Sequence, residues 1–136
     1  MLALIQAAAE GSAQATESVR WVWLTVAFPL LGFVINGALA LWRPTAKKAV
    51  SIIGPAVLFA SFGVAISVAG AIGSIHPERP IIVPLWEWIG AGDLRIPLAF
   101  QVDQLSIVML LVITGVGSLI HLFSVGYMRA DAGYAR

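Results

Sequence analysis

The sequence contains no cysteine. Disulfides, thiolate-held zinc and Cys-ligated iron–sulfur clusters are thereby excluded for this chain. Charge is scarce as well: 11% of residues are charged against 60% hydrophobic. A soluble domain of 136 residues needs more charge than this to cover its surface. The few charges are also confined, and none falls between Trp21 and Trp42 or between Val50 and Ile75. A net charge of +1 gives no support for a nucleic-acid partner. The signatures of catalytic sites are missing too. There is no GxGxxG after a strand, no phosphate-binding P-loop, no GxSxG elbow and no HExxH. His76 and Glu78, one residue apart in a loop, are too few to hold a metal. No internal repeat is present, and the only biased tract is the Ala-rich start.

What the sequence does have is apolar length. A helix rises about 1.5 Å per residue, so crossing a hydrocarbon core of roughly 30 Å takes about 20 residues. Three segments meet that requirement: 21–42, 50–75 and 104–127. Trp21, Trp23 and Trp42 flank the first and Tyr127 ends the third, where amphipathic rings suit the headgroup zone. Pro29 falls inside the first span, where neighbouring helices must re-satisfy the carbonyl it frees. Pro55 is expected in the first turn of the second, where a missing N–H matters least. Residues 1–20 read as a polar or weakly helical lead-in; a secretory signal would have a basic region before its apolar run.

Basic residues orient the spans. Loop 43–49 carries Arg43, Lys47 and Lys48 with no acid, which places it in the cytoplasm. The N-terminus and the loop at 76–102 then lie on the outer face, and residues 128–136, with Arg129 and Arg136, return to the cytoplasm. The outer loop holds two β-prone runs, Ile81–Trp88 and Leu94–Val102, separated by the turn signal IGAGD. Pro84 and Pro97 donate no ladder bonds, so short, edge-like pairing is expected. Glu87, between Trp86 and Trp88, is expected to face solvent. The predicted fold is an all-α integral membrane protein of three transmembrane helices, with a β-hairpin between the second and third.

Side-chain spacing assigns faces. Small residues recur at every fourth position in two rows of the second span: Ser61, Ala65, Ala69, Gly73 and Gly63, Ser67, Ala71. The first span has Gly32, Asn36 and Ala40. Such rows allow helix backbones to approach closely. Asn36 reads as an interhelical hydrogen-bond anchor. The third span is the most polar, with Thr114, Ser118 and His121 on one face and Ser124 three residues on. An imidazole there is either a helix-bridging group or a member of a proton relay with Thr114 and Ser118. Asp103 sits just before this span, as an N-cap accepting from Leu105 or Ser106, or as an outer proton-collecting group. No Lys, Glu or Asp lies at membrane depth to complete a relay, and no residue is assigned a catalytic, cofactor-binding or metal-binding role.

The segment QVDQLSIVMLLVITGVGSLIHLFSVGYMRADAGYAR, residues 101–136, resembles the L-subunit family of NADH–quinone oxidoreductase, respiratory complex I. The shared pattern is an aspartate, Leu-Ser, Met, Thr-Gly-Val-Gly, Ile-His, Gly-Tyr-Met and a closing Gly-Tyr-Ala-Arg. FPLLGFVINGAL (28–39) and PLWEWIGAGDLRIPL (84–98) also fit. The resemblance implies the opening helices of a longer antiporter-like subunit in a bacterial inner membrane, within a complex that couples NADH-to-quinone electron transfer to proton pumping. It implies as partners membrane lipid, other membrane subunits and later helices of the same subunit. It places FMN and iron–sulfur clusters in other subunits and none in this chain. The family's proton channels use lysine and glutamate on later helices, so none is assigned here. Residues 128–136 are expected to end at a truncation point, and the isolated chain is not expected to act as an enzyme. The rival expectations are a subunit of a multisubunit cation/proton antiporter and a purely structural small membrane subunit.

Overall fold

The computed structural model describes residues 1–42, 45–131 and 134. Arg43 and Arg136, two of the basic residues that orient the chain, lie outside the described residues, as do 132, 133 and 135 of the closing segment. The elements are α1 (Leu2–Val19), a 3₁₀ turn (Arg20–Trp23), α2 (Leu24–Trp42), α3 (Lys47–Ile75), β1 (Ile81–Ala91), β2 (Leu94–Val102) and α4 (Gln104–Tyr127). Three stretches are long and apolar enough to span a membrane: Ala13–Trp42, Lys47–Ile75 and Gln104–Tyr127. The hairpin lies between the second and third, as the sequence predicts.

α3 is the central helix, packed on α2 along one side and α4 along the other. Its first row of small residues makes this possible, since Ser61 and Ala65 are both fully buried. The second row packs only through Ala71, half-buried against the core: Gly63 and Ser67 are exposed, and Val68 and Ile72 take the buried positions. Gly32 of α2 presses on Val57 so closely that a methyl group there would collide with it. Gly115 of α4 plays the same part against Phe62, whose ring lies 3.1 Å from where a Cβ would stand.

Pro29 of α2 cannot donate to the Thr25 carbonyl, four residues back. The buried Ser61 hydroxyl of α3 donates to that carbonyl instead, at 2.6 Å. A bond lost within α2 thus becomes a bond between α2 and α3. Pro55 departs from expectation. α3 starts at Lys47, three residues before the predicted span, so Pro55 is buried in the third turn rather than placed in the first.

Residues 2–19 form a helix that leads through the 3₁₀ turn into α2, so the helical run begins well before the predicted span. Alanine and glutamine favour helix here. The last turns of this lead-in pack through Ala15 and Val19, which with Val22 of the 3₁₀ turn join Val68, Ile72, Ile81, Val83, Val102 and Ile107 in one core at the hairpin end of the molecule.

The hairpin pairs Ile81 with Val102 at its base and Ala91 with Leu94 at its tip. Pairing therefore runs almost the whole strand length, longer than the two prolines suggest. They are absorbed by register shifts between Pro84 and Trp86 and between Glu87 and Ile89. Gly92, at φ +58°, opens the two-residue turn in a conformation that suits glycine.

Candidate functional site

The predicted polar row of α4 divides in two. Thr114 and Ser118 are buried against the bundle, whereas His121 and Ser124 lie toward the other end of the helix and are not. Each polar side chain bonds a carbonyl four residues back on its own helix. Thr114 Oγ1 donates to Leu110 O at 2.6 Å, Ser118 Oγ to Thr114 O at 2.6 Å and Ser124 Oγ to Ile120 O at 2.8 Å. Nδ1 of His121 lies 3.0 Å from Gly117 O. A carbonyl only accepts, so Nδ1 carries a hydrogen and donates it to Gly117 O. The row is a set of closed local bonds rather than a hydrogen-bonded wire.

A cleft of about 550 Å³ opens beside His121, walled by α2 and α3. Asn36, Gly54, His121 and Tyr134 line it. A smaller lobe of about 130 Å³ shares these four residues and adds Ser124. Asn36 precedes Trp42 by six residues, Gly54 follows Lys47 by seven and His121 precedes Tyr127 by six. At about 1.5 Å per residue all three stand roughly 9–11 Å inside the same end of the bundle. The Oδ1 atom of Asn36 is buried without a hydrogen-bond partner among the described residues. The anchor expected from the sequence is thus placed between helices with its acceptor left open.

The segment after α4 folds back over this end. Tyr134 Oη makes a short hydrogen bond with Ser51 Oγ of α3. Lys47 Nζ donates to Asp131 O at 3.1 Å and stands 5.6 Å from the centre of the Tyr134 ring. Sequence reasoning missed Ser51 and Tyr134 as partners. The contact joins residues 83 apart, which no periodicity reveals.

Asp103 sits at the opposite end, outside the span. Its Oδ1 accepts from Ser106 N at 2.7 Å, and Ser106 Oγ accepts from Asp103 N at 2.8 Å, a reciprocal capping box. Gln101 Nε2 donates to Oδ2 at 3.2 Å. The Ser106 backbone N–H, then the Gln101 amide, hold the Asp103 carboxyl below its ordinary pKa. Further along the hairpin, Arg95 Nη1 pairs with Glu87 Oε2 at 2.7 Å across the two strands. Among the described residues no group of three or more His, Asp or Glu side chains could hold a metal ion.

The family described as NADH-ubiquinone oxidoreductase (complex I), chain 5 N-terminus, matches residues 88–136. NADH-quinone oxidoreductase subunit L of Mycobacterium tuberculosis is 42% identical over 114 residues, which cover 82% of this chain and 17% of that protein. The subunit L of Escherichia coli K12 is 40% identical over 116 residues, 83% of this chain and 18% of that protein. A chloroplastic NAD(P)H-quinone oxidoreductase subunit 5, from Lolium perenne, is 32% identical over 122 residues, 88% of this chain and 16% of that protein. The chain therefore spans less than a fifth of the length of these relatives. From the end of the first strand of the hairpin through α4 by the family model, and over more than four-fifths of its length by these relatives, it matches the N-terminal region of the NADH-quinone oxidoreductase subunit L family, an antiporter-like membrane subunit.

Proposed function

We propose that this chain supplies the opening helices of a proton-translocating subunit in an NADH–quinone oxidoreductase. The observation that carries the reading is its likeness to bacterial subunit L across most of its length, joined to three spanning helices in the expected order. Within such a subunit α2, α3 and α4 form a packed scaffold, against which later helices carry protons. FMN, iron–sulfur clusters and the quinone site belong to other subunits, in keeping with a sequence without cysteine. The protein sits in the bacterial inner membrane, with the Lys47 and Lys48 end in the cytoplasm and the hairpin outside. His121 serves as a packing and cleft-lining group, since its Nδ1 hydrogen is spent on Gly117 and the hydroxyls of its row do not connect to it.

The test is deletion of the coding region followed by vesicle assays. Inside-out vesicles from the deletion strain lose NADH-driven acidification, keep ATP-driven acidification, and regain the former when the protein is restored. NADH-driven acidification that survives deletion at the parental rate refutes the assignment.

A further inference from the structure

The cleft beside His121 holds a buried acceptor that no donor among the described residues reaches. Asn36 Oδ1 is buried and unpartnered among the described residues, and the exposed His121 ring, held by Gly117 O through Nδ1, turns its other edge away from that bond. Any occupant must therefore bring hydrogens. A lipid tail or an apolar side chain would leave Asn36 unpaired in a low-dielectric setting, which is costly. The smaller lobe, at about 130 Å³, has room for several waters, since one needs only about 10–15 Å³. A buried water also needs two to four polar partners, and Asn36, His121, Ser124 and Tyr134 supply them.

We propose that this cleft is a hydration site, where a few waters donate to Asn36 Oδ1 and hydrogen-bond the His121 ring about 10 Å inside one end of the bundle. Tyr134, held by Ser51 and under Lys47, forms the mouth through which they exchange with bulk water. Glycine at 54 keeps the wall low beside Asn36: a Cβ there would touch Asn36 Nδ2 at 3.5 Å.

These 136 residues contain no cysteine, so a thiol placed among them is the only one here, and the unsubstituted protein sets the background rate. Gly37→Cys has open space around it, and Gly54→Cys makes only ordinary contact with Asn36. Val34→Cys, exposed on α2 and away from the cleft, is the control. Each variant, in its own membrane, is treated from both sides with a small water-soluble methanethiosulfonate. A thiol reacts as thiolate, which forms where water reaches it, so both cleft thiols should react at least about tenfold faster than the control. Adding Asn36→Leu should slow Gly37→Cys to the control rate. Cleft thiols no faster than Val34→Cys show a dry cleft filled by a side chain or lipid, and overturn the proposal. Either cleft variant decides the matter if the other fails to assemble.

Discussion

At the residue scale, Asp103 shows how local chemistry starts a helix. A carboxylate accepts from the first free N–H groups of α4, and Ser106 returns a bond to the Asp103 backbone. The sequence already marks this cap, because Asp followed three positions later by Ser precedes an apolar run. The carboxyl is held below its ordinary pKa, chiefly by the Ser106 N–H. The unfolded chain therefore takes up the proton first as pH falls. The stabilisation is complete above the unfolded pKa and is lost as pH drops through the folded one. Hydrogen exchange at Leu105–Val108 should thus rise, beyond the intrinsic rate, only below the usual carboxylate range. In Asp103→Asn that acid-dependent rise should vanish. An identical acid profile in the variant would assign the transition to another group.

At the element scale, the contact between α2 and α3 rests on a broken bond. Pro29 frees the Thr25 carbonyl and Ser61 takes it at 2.6 Å. Ser61→Ala leaves that carbonyl unpaired and should cost about 1–2 kcal/mol of thermal stability in detergent. Pro29→Ala restores an N–H inside α2, so the same Ser61→Ala change made on that background should cost less than half as much. Equal costs on both backgrounds would show that Ser61 acts through packing alone. Much of this scale was legible in advance. The three spans and their order came from apolar runs, and the hairpin came from two β-prone strands around IGAGD. The sequence could not reveal which row of small residues packs. Two rows offset by two positions are equivalent in composition, and only the placement of α2 and α4 selects Ser61 and Ala65 over Gly63 and Ser67. Nor could it show that two bulges let a proline-bearing hairpin pair to its tip.

At the scale of the whole molecule, the balance of exposed and buried surface says what the chain can do alone. Large apolar side chains stay open along α2 and α4, among them Leu30, Phe33 and Val34 on one and Val112, Ile113 and Leu119 on the other. In a bilayer these faces meet lipid or further helices. The lead-in, polar or weakly helical by sequence, is helical from Leu2 to Val19, and Ala15 and Val19 on its last turns join the core with residues of α3 and the hairpin. The polar groups, by contrast, were found by sequence, but their isolation from one another was not. Proton transfer across a membrane needs titratable groups or water in unbroken succession. Here Thr114 and Ser118 close on their own backbone, and His121 stands about 9 Å from one end with the buried apolar core between it and the other. Reconstituted into liposomes with an imposed pH gradient, the 136-residue chain should therefore dissipate it no faster than protein-free lipid. His121→Phe should leave that rate unchanged. A flux above lipid background that falls on this substitution would mean that these three helices carry a complete path, and that His121 moves the proton rather than lining a cleft.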